Sequence, residues 1–301
     1  MKNWRTKLKF SKYMLLVVGW LLIYKFIDKL VLIDNIKAAL PIREAGLMVG
    51  MVWGEKKEME WEFYNFLKNS GLVHVVVVSG ANLMIIGRML IENLAKFLGR
   101  KVAIIWGLGI VLIYINAVGF EIPVVRAWLF LGLYYLAQIL GKKFKVSRAL
   151  IMVGLLMILS DYKVIFDISF WLSMMAFLGV VLTKGRSVVV TTIWVSLLIL
   201  PILSMFFGKI SLITPIANMG VLFLVEIITS MGFVGSLLSR ISLVVGGVIL
   251  QMAYPFLRYL VWMAELMGGW EKGVLDFRFN WWMMMGWYLM CGGYWYEKKK
   301  I

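Results

Sequence analysis

The chain has 301 residues, 62% of them hydrophobic, a mean hydropathy of +0.88 and a formal net charge of +16. A soluble domain has no interior large enough for that much apolar surface, so soluble classes are excluded and the chain reads as membrane-embedded. One Cys, Cys291, and one His, His74, exclude an intrachain disulfide and a Cys/His zinc site, and neither metal nor cofactor is expected.

At the start, Lys2, Arg5, Lys7, Lys9 and Lys12 precede an apolar run over residues 13–24. No small-residue cleavage site follows, which predicts a retained first span over 13–33, a transmembrane anchor (1–33) rather than a cleaved signal. Residues 34–71 mix Lys37, Arg43, Lys56, Lys57 and Lys68 with Asp34, Glu44, Glu55, Glu58, Glu60 and Glu62. Leu47, Met51, Phe63, Phe66 and Leu67 recur among them at near-helical spacing, the pattern of short amphipathic helices on the outer surface. Residues 72–301 then form one multi-helix core. Its apolar runs predict spans over 72–91, 102–119, 123–140, 147–160, 164–182, 187–207, 211–236, 241–262 and 280–296. The fold class is therefore all-α and polytopic, with about ten transmembrane helices, some of them interrupted.

Charge placement sets the topology. With the basic N-terminus in the cytoplasm, one set of alternating loops holds Lys96, Arg100 and Lys101, then Lys142, Lys143, Lys145 and Arg148. Lys184, Arg186, Arg240 and Lys298–Lys300 continue that set, so both termini are expected to be cytoplasmic. Topology thus accounts for most of the net charge, and little of it is left to argue for a polyanionic partner.

Polar islands interrupt the apolar sequence. In the second span His74, Val78 and Asn82 share a helical stripe, with Ser79 and Gly80 beside it. Such a stripe serves either helix–helix hydrogen bonding or a pore surface. Pro123 suits a helix's first turn, and Arg126 follows about one turn later, either snorkelling or available to a phosphate. Ser169 and Ser173 share a face of the sixth span, and Asp167 is placed to pair with Arg126 or Lys163. Pro201, Pro215 and Asn218 suggest interrupted helices around the seventh and eighth spans. Glu226, two turns further, reads as the most membrane-buried acid.

These islands, in this order, carry a resemblance: a Pro–Gly stretch from Pro41 to Gly54, Gly71-x-x-His74 running into Ser79-Gly80, and Pro123-x-x-Arg126-Ala127. Phe166 to Ser173, Leu200-Pro201, Phe207-Gly208 and Pro215-x-x-Asn218 complete it. Over roughly residues 41–270 the chain resembles the ComEC family of competence proteins, which pass single-stranded DNA across the bacterial inner membrane. Many members of that family have His where this chain has Asn82. Full-length members also carry an OB-like and a metallo-β-lactamase-like domain, neither of which fits within this sequence. The resemblance therefore implies a bare channel core, with membrane lipid around it and separate DNA-receptor, nuclease and motor proteins as partners. It implies a DNA path lined by His74, Ser79, Gly80, Asn82, Arg126, Ser169, Ser173, Asn218 and Arg258, and no catalysis. Asp167, Glu226, Pro123, Pro201 and Pro215 read as structural or ion-pairing residues.

Two other readings stand beside that one. A secondary transporter of a small solute would use Asn218 and Glu226 at a midplane site. An intramembrane enzyme would need His74 with Ser79, which lie five residues apart and share no helical face. Nothing in the chain resembles a phosphate-cradling loop that would supply its own energy.

Overall fold

Glycines, prolines and small polar residues punctuate the apolar sequence, and the helices start and stop at them. The computed structural model describes residues 27–73, 79–211, 213–270 and 273–300. Helix α1 (Lys29–Ala39) leads through Pro41 into α2 (Ile42–Trp53), which ends on Gly54 in the left-handed conformation. A single 3-10 turn (Lys56–Glu58) precedes α3 (Trp61–Asn69). Ser79 caps α4 (Gly80–Leu98), Gly99 separates it from α5 (Arg100–Val118), and Pro123 opens α6 (Ile122–Ile139). Then come α7 (Val146–Ser160), α8 (Ile168–Leu182) and α9 (Val188–Phe207). A short strand β1 (Lys209–Ser211) leads into α10 (Thr214–Ser239), followed by α11 (Leu243–Met252) and α12 (Tyr254–Gly268). Strand β2 (Val274–Asp276) pairs antiparallel with β1 before α13 (Trp281–Lys300).

The chain is an all-α membrane protein with one two-stranded ribbon. Among the described residues, four helices are long and apolar enough to cross a bilayer: α5, α6, α9 and α10. The bent pair α11–α12, 44° apart, makes five if it crosses as one span. The expectation of ten is not reached by this measure. Helices α7 and α8 have 15 residues each, and α4 carries Arg88, Glu92 and Lys96 within its apolar sequence. Most of the predicted first span lies outside the described residues.

Segment 34–71 differs from its reading as a surface element. Helix α2 is enclosed, with residues 44–53 all buried. Its charges, Arg43 and Glu44, sit at its first turn, and the rest of the helix has no polar face to offer to water. Glu58 meets Lys37, and Glu55 meets Lys29 at 3.2 Å, so the polar residues around α2 fold back on α1. Only α3 is amphipathic as expected: Phe63 and Leu67 are buried against α12, while Trp61 is exposed. At the other end of α2, Trp53, Tyr114 and Phe233 form an aromatic triangle with centroids 5.5 to 6.4 Å apart. The Tyr114 hydroxyl donates to the Val52 carbonyl, joining α2 to α5.

Interruptions also fall elsewhere than expected. Helix α9 runs straight through Pro201. The chain breaks at Gly208 and at β1, and again at Ala253 between α11 and α12, where Pro255 takes an N-terminal position.

Candidate functional site

Five helices close on one another: α4 packs on α6, α6 on α8, α8 on α9, α9 on α10, and α10 on α4. No pair across this ring packs as these neighbours do. Behind it, α5 covers α4 and α6, α7 covers α6 and α8, and α1, α2, α11 and α12 cover α10. The arrangement is a wall with a backing layer.

Three of the five ring helices, α4, α6 and α8, begin at the same face. A Cβ on Gly80 would lie 3.2 Å from the Pro123 carbonyl, so the first turns of α4 and α6 abut. Arg126 donates to the Ser169 carbonyl at 3.4 Å, which joins the first turns of α6 and α8. A Cβ on Gly71 would crowd Thr214, and Ser211 donates to the Asn69 carbonyl at 2.8 Å, so α10 begins beside α3, and it is Phe233, far along α10, that packs on Tyr114 near that face. Each N-terminus carries roughly half a positive charge from its aligned peptide dipoles. One mouth of the ring is thus lined by positive helix ends.

Arg126 is the cation set into this wall. It is 4% exposed and makes its hydrogen bond to Ser169 across the α6–α8 seam. Asp167 does not reach it as an ion pair; its carboxylate caps α8 by accepting from the Ser169 N–H at 2.6 Å. Its charge still acts on Arg126. The Ser169 and Ser173 side chains are half-buried on α8.

Asn82 and Asn218 are buried in the first turns of α4 and α10. Asn82 donates to the Met51 carbonyl at 3.0 Å, but its own amide oxygen has no partner among the described residues. The Asn218 amide oxygen likewise has none. Unpaired polar atoms at such depth cost stability and mark places where something polar is accommodated.

The chain matches the family model for competence proteins over residues 51–300. It belongs to that family. No curated protein and no solved structure matches it. Membership puts this competence protein in DNA uptake at a membrane, and the matched region covers the whole ring.

Within this competence-family core, several residues singled out in the sequence stand apart from the ring or from their expected roles. Ser79 caps α4 by accepting from the Asn82 N–H at 3.3 Å, so the helix starts at Gly80 and does not run through the Ser-Gly pair. His74 lies outside the described residues. Arg258 lies on α12, behind the ring, and pairs with Glu44 on α2 at 3.4 Å. Pro123 and Pro215 open α6 and α10 as expected, whereas Pro201 breaks nothing. Glu226 is exposed on α10, and among the described residues the buried acid is Glu44. Asn218 is buried and Glu226 exposed on α10, so the two do not combine into one midplane solute site. Among the described residues no three His, Cys, Asp or Glu side chains are grouped to hold a metal ion.

Sequence reading missed Arg88 and Glu92, which pair at 3.0 Å on the exposed side of α4. Their signal was available: two opposite charges one turn apart in the middle of an apolar helix.

Proposed function

We propose that this competence protein is the conduit that carries single-stranded DNA across the bacterial cytoplasmic membrane, with the ring α4–α6–α8–α9–α10 as its wall. The observation that carries this reading is the mouth at which α4, α6 and α8 present their N-termini with Arg126 one turn inside. A polyphosphate is attracted by positive helix ends and by a planar guanidinium that binds its oxygens in pairs. The mouth faces outward in this reading, and both chain termini are cytoplasmic. Arg126, with a weak hydrogen bond and a nearby but unpaired carboxylate, retains donors for a passing phosphate. The chain catalyses no reaction; a partner that pulls the strand supplies the work.

The test is DNA uptake in a transformable host lacking its own channel, complemented with this chain or with R126A or R126K. Labelled DNA reaching the cytoplasm is scored separately from DNA held outside the membrane. Cytoplasmic entry restored by the wild type, lost in R126A and partly kept in R126K supports the reading. Wild-type protein that inserts in the membrane and restores no entry overturns it.

A further inference from the structure

Hydropathy leaves one feature of the ring unexplained: charges on the exposed surfaces of two otherwise apolar helices. Arg88 lies eight residues beyond the start of α4 at Gly80, about 12 Å along the helix. Glu226 lies twelve residues beyond the start of α10 at Thr214, about 18 Å along it. On the conduit reading, in which both helices cross the membrane, the charges lie within its hydrocarbon core. The Arg88 and Glu92 side chains are 69% and 46% exposed, and Glu226 is exposed as well. Ionised groups at that depth do not face lipid; they face water or protein.

Their side of each helix identifies which. On α4, Gly80 abuts α6, Asn82 reaches α2, and Ile91 packs on α5. The remaining stripe, Ala81, Arg88 and Glu92, falls between α6 and α10, the two ring neighbours of α4. The charges bear this out: Glu226 of α10 acts on Arg88, and Arg88 and Glu92 both act on Tyr135 of α6. On α10, Glu226 continues an exposed row through Ile216, Met219 and Phe223, while Gly220 turns toward α12. Both stripes therefore line the inside of the ring. Its waist holds one guanidinium and two carboxylates.

We propose that Arg88, Glu92 and Glu226 form an ion-pair gate at the waist of the ring, where phosphodiesters of an entering strand displace the two carboxylates from the one guanidinium. This inference rests on the conduit reading and adds a second phosphate seat below the mouth. At rest Arg88 is held by Glu92 on its own helix and attracted by Glu226 across the α4–α10 seam, which draws the two helices together. The excess carboxylate makes the resting waist repel anions, so small anions and stray polyanions do not leak through. A strand already engaged at the mouth presents phosphates at high local concentration, and each can pair with the Arg88 guanidinium through two oxygens as a carboxylate does, so their number shifts the exchange. Exchange of partners releases α10 from α4.

The experiment uses the full chain, purified and reconstituted in planar bilayers. Conductance and reversal potential are recorded without DNA and with a short oligothymidylate. The E92Q/E226Q variant, with Arg88 unopposed, is expected to show a several-fold higher basal conductance with a shift toward anion selectivity. R88Q, which leaves two bare carboxylates, is expected to leak cations and to lose its response to the oligonucleotide. The charge exchange R88E/E226R, which rebuilds a pair across the seam, is expected to return the basal conductance to the wild-type level. Size-exclusion elution of each variant distinguishes a changed gate from a misfolded protein, and the restored behaviour of the exchange variant does so independently. Basal conductance and reversal potential unchanged in both E92Q/E226Q and R88Q, with each eluting as wild type, overturn the gate. The cargo is scored apart from it, by entry of labelled oligonucleotide into vesicles. Entry that is equal in all variants removes the gate and keeps the conduit. Variant-dependent conductance without entry removes the DNA cargo and keeps the gate.

Discussion

Glu44 and Arg258 form an ion pair whose ends sit in different surroundings: 3.4 Å apart, the carboxylate side chain is 3% exposed and the guanidinium 59%. The pair ties α2 to α12, and beside it Arg43 meets Glu60 and Glu265, each at 2.6 Å. Those hydrogen bonds, Glu60's first, raise the Arg43 pKa further above its ordinary value, so it stays charged. Losing the exposed partner of Glu44 leaves a buried charge unopposed, whereas neutralising Glu44 itself leaves nothing that needs a cation. R258A is therefore expected to lower stability by about 1–3 kcal/mol and E44Q by less. Unfolding in detergent measures both, and equal losses would contradict the asymmetry.

Gly71 combines two constraints, a φ of +74° and a missing Cβ whose place is already taken by Thr214. G71A is expected to cost on the order of 1–3 kcal/mol, and G71A/T214A to recover only the part due to crowding. Full recovery in the double variant would mean that the backbone conformation carries no cost.

Asp167 separates capping from charge. Asparagine caps a helix as well as aspartate, so D167N is expected to keep the stability of α8, while D167A loses about 1 kcal/mol. On the conduit reading, D167N also frees Arg126 from an opposing charge, and its DNA uptake is expected to equal or exceed that of the wild type. Thermal melts and the uptake assay read the two effects separately; D167N uptake below wild type with an unchanged melt would show that the carboxylate assists the strand.

Asn218 is buried with an unpartnered amide oxygen, an arrangement that stability alone does not favour. N218L is expected to raise the melting temperature by an amount corresponding to about 1 kcal/mol, because an apolar group of similar size leaves no orphan. If the amide serves a polar path, the same substitution lowers DNA uptake. Higher stability with unimpaired uptake would remove Asn218 from the path.

Much of the helical layout was legible because its punctuation is chemical. Gly99, Pro123, Gly208 and Pro215 end or open helices for reasons that any neighbour would leave in place. What hydropathy could not tell was the direction in which a side chain points. Glu226 lies in an apolar run, and whether that run faces a packed core or an inner water-filled surface depends on which helices become its neighbours. The burial of α2 was obscured in the same way, since the charges flanking it in sequence meet partners on α1, α3 and α12. Arg126 was found because it follows a helix-opening proline, whereas Arg88, without such a marker, emerged only when α4 and α10 came together. The ribbon was not foreseen at all: β1 and β2 are three residues each and lie more than sixty positions apart.

That ribbon decides whether the wall is a hoop or a horseshoe. It sits at the turn from α9 to α10, where the Phe277 N–H donates to the Gly208 carbonyl at 3.1 Å and Ser204 bonds both Phe277 and Phe279. Trp287 and Tyr288 of α13 then fasten onto the Leu197 and Leu198 carbonyls of α9, each at 2.9 Å. A later stretch of chain is thereby buckled across the joint between two ring helices, next to the α4–α10 seam. On the conduit reading, a polymer inside therefore has no sideways exit into the lipid between α9 and α10.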